Sequence, residues 1–169
     1  KRTGKERQAR RLLSQASRKY PRNLDVFLNA SGGLLRTGRL RAAKKLIEKR
    51  LKLFPGDYWA LYQLAVFYMK KGDAKKAIES LDRITSGPKP DARAFNQKAW
   101  YRLYMLPLDL DSAKKESIKS SKMSGWSNAA HLHTLATIYS LRGELKKAHD
   151  TLLQSIKQKN PRDLKRRLC

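Results

Sequence analysis

Apolar residues in this chain recur in short helical runs that come in pairs. Leu61, Leu64, Ala65 and Tyr68 fall at intervals of three and four, so they share one face of a helix. Gly72 follows, and Ala77, Leu81 and Ile84 then mark a second helical face. The same order appears earlier as Phe27, Ser31, Leu34, Gly38, Ala43, Ile47 and Pro55. It appears later as Leu132, Leu135, Ala136, Tyr139, Gly143, Ala148 and Leu152. Gly4, Gly38 and Gly72 lie 34 residues apart, and Gly143 follows after two such steps plus three residues. A constant interval of this length in a helix-friendly sequence predicts stacked antiparallel helical hairpins. Small residues let the paired helices approach closely, and their apolar neighbours fill the seam. The glycine suits a left-handed helix end, and Pro21, Pro55 and Pro161 punctuate the junctions between pairs.

Residues 92–128 depart from this pattern. Phe95 and Ala99 keep it, but Arg102 stands where an apolar residue is expected and no glycine closes the first helix. The run Leu106-Pro107-Leu108-Asp109-Leu110-Asp111 lengthens the turn, so Pro107 is expected to end the first helix and Asp109 or Asp111 to cap the second. That second helix is poor in apolar residues, with Ser117, Ser120 and Ser121 around Ile118 and Met123. It is the expected weak point of the stack.

Composition adds one anomaly. The 40% of apolar residues suffice for a continuous core, and no apolar run approaches the length of a membrane span. No signal-peptide pattern is visible. A lone cysteine, Cys169, excludes an internal disulfide framework and a multi-cysteine metal site, and it fits a reducing, cytoplasmic setting. Charge is the anomaly: 39 Lys and Arg against 14 Asp and Glu give a net charge of +25. Such a field attracts nucleic acid, anionic membrane or acidic protein surfaces, and it says nothing about fold.

Catalysis finds no foothold. His131 and His133 are two apart and point to different faces of a helix. No glycine-rich phosphate loop and no nucleophile motif is present, and capping explains Asp109 and Asp111. The expectation is a protein that is not an enzyme and carries no cofactor or metal.

The interval and its residue types resemble the tetratricopeptide repeat family. Residues 24–57, 58–91 and 129–162 fit the repeat, and 92–128 reads as an irregular repeat with a longer turn. Residues 1–23 read as the second helix of a truncated repeat, or else as a basic amphipathic cap. Residues 163–169 read as the start of a capping or next helix, and the chain as a segment of a longer array. The run from Ser124 to Ala136 is similar to the last repeats of bacterial arrays. The resemblance implies an all-α fold with a single domain over 1–169, an α-solenoid of antiparallel helical hairpins coiled into the family's superhelix.

The resemblance also implies a function. First helices of such repeats line a concave groove, which here would carry Arg36, then Trp59, Tyr62, Val66 and Lys70, then Arg93, Asn96, Trp100 and Tyr104, then His133. This surface would bind a protein or peptide, as an extended segment or partner helix, with Arg36, Lys70 and Arg93 selecting acidic sequence. The carboxylate clamp of some co-chaperones is excluded, because this chain has Leu28, Gly32, Gln63 and Gln97 at four of its sites and only Arg93 suits. Second helices would expose a basic convex face of Lys44, Lys45, Lys75, Lys76, Lys114, Lys115, Lys146 and Lys147. Arg10, Arg11, Arg18 and Lys19 extend the trend, as do Arg162, Lys165, Arg166 and Arg167. Nucleic-acid or ribonucleoprotein binding is therefore the alternative, although stacking aromatics are missing among these lysines. A purely structural spacer or an engineered array is the third reading, and the terminal helices of such a solenoid also offer faces for a homo-oligomer.

Overall fold

The structure is a computed structural model that describes residues 4–104 and 107–159. Among them the ordered elements are all α-helices: α1 Gly4–Lys19, α2 Leu24–Arg36, α3 Leu40–Leu53, α4 Tyr58–Lys70, α5 Ala74–Thr85, α6 Ala92–Arg102, α7 Leu110–Met123, α8 Ala129–Leu141 and α9 Leu145–Lys159. Leu106, Pro161, Arg162, the segment 163–169 and the side chains of Arg10 and Arg18 lie outside the described residues.

Local chemistry sets the helix ends. Asn23, Asp57, Asp91 and Asn128 cap α2, α4, α6 and α8, each accepting a backbone N–H of the first turn with its side-chain oxygen. Gly38, Gly72 and Gly143 follow α2, α4 and α8 with φ between 69° and 77°. The next residue then donates back to the start of the last turn: Arg39 to Leu34, Asp73 to Tyr68 and Glu144 to Tyr139. Each is a Schellman close, which needs a residue free of a β-carbon at the left-handed position. This is why the glycine interval sets the hairpin interval.

The helices gather into two compact units that divide between Ile84 and Thr85. In the first, α1 packs on α2, α2 on α3 and on α4, and α3 on α4. Its core joins Phe27, Leu35, Ala43, Ile47, Ala60 and Phe67, with Leu40, Leu46 and Leu51 packed against it. On α5, Ala77, Leu81 and Ile84 are likewise buried. In the second unit α6 packs on α7 and α8, α7 on α8, and α8 on α9. Its core holds Ala99, Ala113 and Ile138, with Leu132 and Leu135 also buried.

The irregular stretch resolves into a polar joint. α6 stops at Arg102, well before Pro107, because Leu103 and Tyr104 donate to Trp100 and Tyr101 and tighten the last turn. Arg102 then turns onto α7: Nε and Nη2 donate to Glu116 at 2.8 and 3.0 Å, and Nη1 donates to Asp109 at 2.8 Å. Lys98 Nζ reaches the same Glu116 at 2.9 Å, with both side chains almost out of solvent. Asp109 caps α7 through its other oxygen, which accepts from Ser112 N–H. Ser120 donates to the Ala92 carbonyl at 2.7 Å and pins α7 to the start of α6. Ser117 and Ser121 are fully buried, and their hydroxyl oxygens have no hydrogen-bond partner among the described residues. Where α3 and α5 bury Ile47 and Leu81, α7 buries hydroxyls beside an ion network.

Candidate functional site

In the first unit, the inner face is built by α2 and α4 lying side by side. The start of α4 is held rigidly from below. Asp57 caps it with one oxygen, and its other oxygen accepts from Arg50 Nε and Nη2 at 2.9 and 2.7 Å. Arg50 is 7% exposed; Nη1 donates to the Arg22 carbonyl, and the guanidinium lies over the Phe27 and Phe54 rings. A buried cation satisfied by carboxylate, carbonyl and two ring faces fixes where the first residues of α4 point.

Those residues are aromatic. Tyr58 and Trp59 meet edge to face with centroids 4.9 Å apart, Tyr58 and Tyr62 stack at 6.0 Å, and Trp59 and Tyr62 lie 6.5 Å apart. All three rings are half-buried, so each keeps surface for a ligand while being held by its neighbours. Trp59 and Val66 also pack against the apolar core. Arg36 ends α2 in solvent and Lys70 ends α4 in solvent. Gly32 lies beside Arg36 and Gln63, where a β-carbon would meet Arg36 Nη1 at 3.5 Å and Gln63 Nε2 at 3.7 Å, both ordinary contacts. Tyr58 was missed by the family pattern, although its spacing of four from Tyr62 carries the signal.

In the second unit α6 and α8 lie side by side. Trp100 is half-buried and meets the exposed Tyr104 ring edge on at 6.0 Å. Arg93 pairs with Asp91 at 3.2 Å, so part of its charge is already met. Asn96 Oδ1 is buried with no hydrogen-bond partner among the described residues, and His133 is exposed. His131 is instead in the core, 3% exposed, with Nδ1 3.2 Å from Ser124 Oγ. Burial lowers its pKa and keeps the ring neutral.

Half of the basic-face lysines serve the fold. Lys44 pairs with Glu48 and Lys76 with Asp73. Lys114, Lys147 and Arg142 converge on Glu144 at 2.7 to 2.8 Å, and their hydrogen bonds hold its carboxyl down at about 2. Lys114 and Lys147 also sit over the Tyr139 ring. Lys45, Lys75, Lys115 and Lys146 make no ion pair with another described residue; all four are exposed. Among the described residues no three His, Cys, Asp or Glu side chains gather as a metal site, and no helix is long and apolar enough to cross a membrane.

Comparison with known proteins agrees with this architecture. Residues 34–101 match a tetratricopeptide repeat family model. Among solved structures, MamA 41-end from Desulfovibrio magneticus RS-1 superposes with a TM-score of 0.74 at 18% identity, covering 95% of this chain and 89% of that one. A crystal structure of MamA gives 0.74 at 16% identity, covering 95% and 92%. The MamA RS-1 ArsTM double mutant gives 0.73 at 18%, covering 95% and 88%. At these identities the likeness establishes the all-helical fold. No curated protein matches the sequence.

Proposed function

Because residues 34–101 are tetratricopeptide-repeat sequence, we propose that the chain is a non-catalytic scaffold for protein interaction, binding a peptide or partner helix on the inner faces of its hairpins. The observation that carries this reading is the Tyr58, Trp59 and Tyr62 cluster. Rigid, half-buried aromatic rings at a fixed helix start are the kind of anchor that dominates peptide binding. The half-buried Trp100 and the exposed Tyr104 add an aromatic pair at the end of α6 in the other unit. Arg36 and Lys70 favour acidic residues in the ligand of the first unit, while Arg93 contributes less because Asp91 already engages it.

The test is a display-selected peptide titrated against the full chain and against Trp59→Ala and Trp100→Ala. Affinity is expected to fall by roughly tenfold or more for at least one of them, the loss of a hot-spot aromatic. Unchanged affinity in both variants overturns the reading.

Nucleic-acid binding is the second reading, favoured by the solvent-facing, unpaired Lys45, Lys75, Lys115 and Lys146. It requires RNA or DNA affinity that falls steeply with salt and disappears when these four lysines become glutamate.

A further inference from the structure

We propose that a concavity between the start of α3 and the end of α4 binds a small molecule of nucleoside polyphosphate chemistry, several phosphate charges carried on a planar apolar body. It uses none of the residues of the aromatic clusters and none of the four unpaired lysines, so it stands apart from both readings above.

The starting observation is a cavity lined by charge of one sign. α3 packs on α4, and at their seam the surface dips into a concavity of about 560 Å³, a volume typical of small-molecule sites. Leu40, Ala42 and the buried Phe67 give it an apolar lining. Its other side chains are all cations, Arg39, Arg41, Lys44 and Lys71, and no carboxylate lines it.

Little in the fold neutralises these cations. Arg41 and Lys71 are exposed and make no ion pair with another described residue. Lys44 meets Glu48 at 3.3 Å, one turn along α3, with their side chains 43% and 49% exposed, a contact that a stronger anion readily replaces. Asp73 follows Lys71 by two residues but is engaged at the start of α5, where it accepts the Lys76 N–H and pairs with Lys76 Nζ at 3.0 Å. The backbone adds to the positive field. Arg39 precedes α3 without capping it through its side chain, and the first turn of α3 holds no acidic residue. Asp73 and Asp109 cap α5 and α7 at the same place. The open first turn therefore reinforces a charge that the side chains already supply.

Lining and charge together choose the ligand. Two unpaired cations with two more beside them match several negative charges held close together, and an arginine fork suits phosphate oxygens. Inorganic phosphate alone would leave Leu40, Ala42 and Phe67 uncovered, and an apolar molecule alone would leave the cations unmet. A planar body on the apolar lining, with its phosphates toward Arg41 and Lys71, satisfies both.

A fluorescent ATP analogue titrated into the full chain tests this at about 0.15 M salt, where free charges act over only about 8 Å. ATP is expected to displace the probe at concentrations at least tenfold lower than tripolyphosphate, and adenosine is expected not to displace it. Arg41→Gln with Lys71→Gln, both at exposed positions, should weaken ATP binding tenfold or more. Lys75→Gln with Lys115→Gln removes the same charge elsewhere and should change it less than twofold. Arg39→Asp gives α3 the acidic cap of α5 and α7, and should weaken ATP at least tenfold while the helical circular dichroism is kept. Trp59→Ala, which weakens a peptide in the aromatic cluster, should leave ATP binding unchanged. Equal loss in the two glutamine pairs overturns the proposal, because overall charge would then hold the nucleotide. So does tripolyphosphate that competes as well as ATP. So does a phosphoserine peptide that competes tenfold better than ATP and loses this through the Arg41 and Lys71 changes, since the site would then read a protein.

Discussion

The two units reach similar helical architecture by different chemistry. The first closes on Phe27, Leu35, Ile47 and Phe67, with one buried Arg50–Asp57 pair inside a mainly aliphatic and aromatic core. The second places Lys98, Arg102 and Glu116 at its α6–α7 seam, and three serines line α7 where larger apolar residues would sit. The difference teaches that the repeat needs small, close-approaching seam residues more than it needs carbon in every seat. A polar seam holds when its charged groups find partners, and it becomes costly when one of those is removed.

The sharpest way to break this comparison is Glu116→Ala. It removes the carboxylate that the buried Lys98 shares with Arg102, so α6–α8 should lose about 3–5 kcal/mol of protection in amide hydrogen exchange. Protection of α2–α4 should hold; equal loss in both units would erase the distinction. Next comes Ile47→Ala, a cavity in the apolar unit. About 2–5 kcal/mol should be lost from α2–α4, and added salt should leave that loss unchanged. A finer contrast compares two serines on one helix. Ser120→Ala removes the bond to the Ala92 carbonyl and should cost about 1 kcal/mol, while Ser117→Ala removes a buried hydroxyl without a partner and should be neutral or mildly stabilising in thermal melts.

The smallest expected effect is a pH slope between pH 7 and pH 5 in the second unit. The folded state holds His131 below its ordinary pKa, so the unfolded chain takes the proton first. Stability is complete above about pH 6.5 and is lost as pH falls through the folded value. Glu144 adds loss of the same sign between about 4.5 and 2. Hydrogen exchange of α8 at pH 7 and pH 5 reads the first effect, and His131→Gln should flatten it.

Local signals were legible in the sequence, and distant ones were not. The glycine interval gave the hairpins because Gly38, Gly72 and Gly143 each close a helix within their own turn. Asp109 was foreseeable as a cap for the same reason. Arg102 looked like a flaw because its partner Glu116 lies fourteen residues away, beyond any short-range pattern. Leu152 read as a packing residue, and its side chain is of that kind; whether it is covered depends on a neighbour that periodicity in α9 cannot reveal. Trp59, Tyr62, Trp100 and Tyr104 came from the family resemblance, and their ring geometry had to come from the coordinates. Val66, expected beside them, packs against the core as Trp59 does.

The convergence of three cations on Glu144 has a consequence for the molecule in solution. Carboxylates are scarce in this chain, and several of them, Asp57, Asp109, Glu116 and Glu144, are consumed by internal pairing. The exterior thus carries a large positive excess, with few exposed carboxylates such as Asp25, Glu79 and Asp150 to offset it. In dilute buffer such molecules hold one another at arm's length, and they crowd together only when dissolved ions shorten the reach of that repulsion to about 10 Å or less.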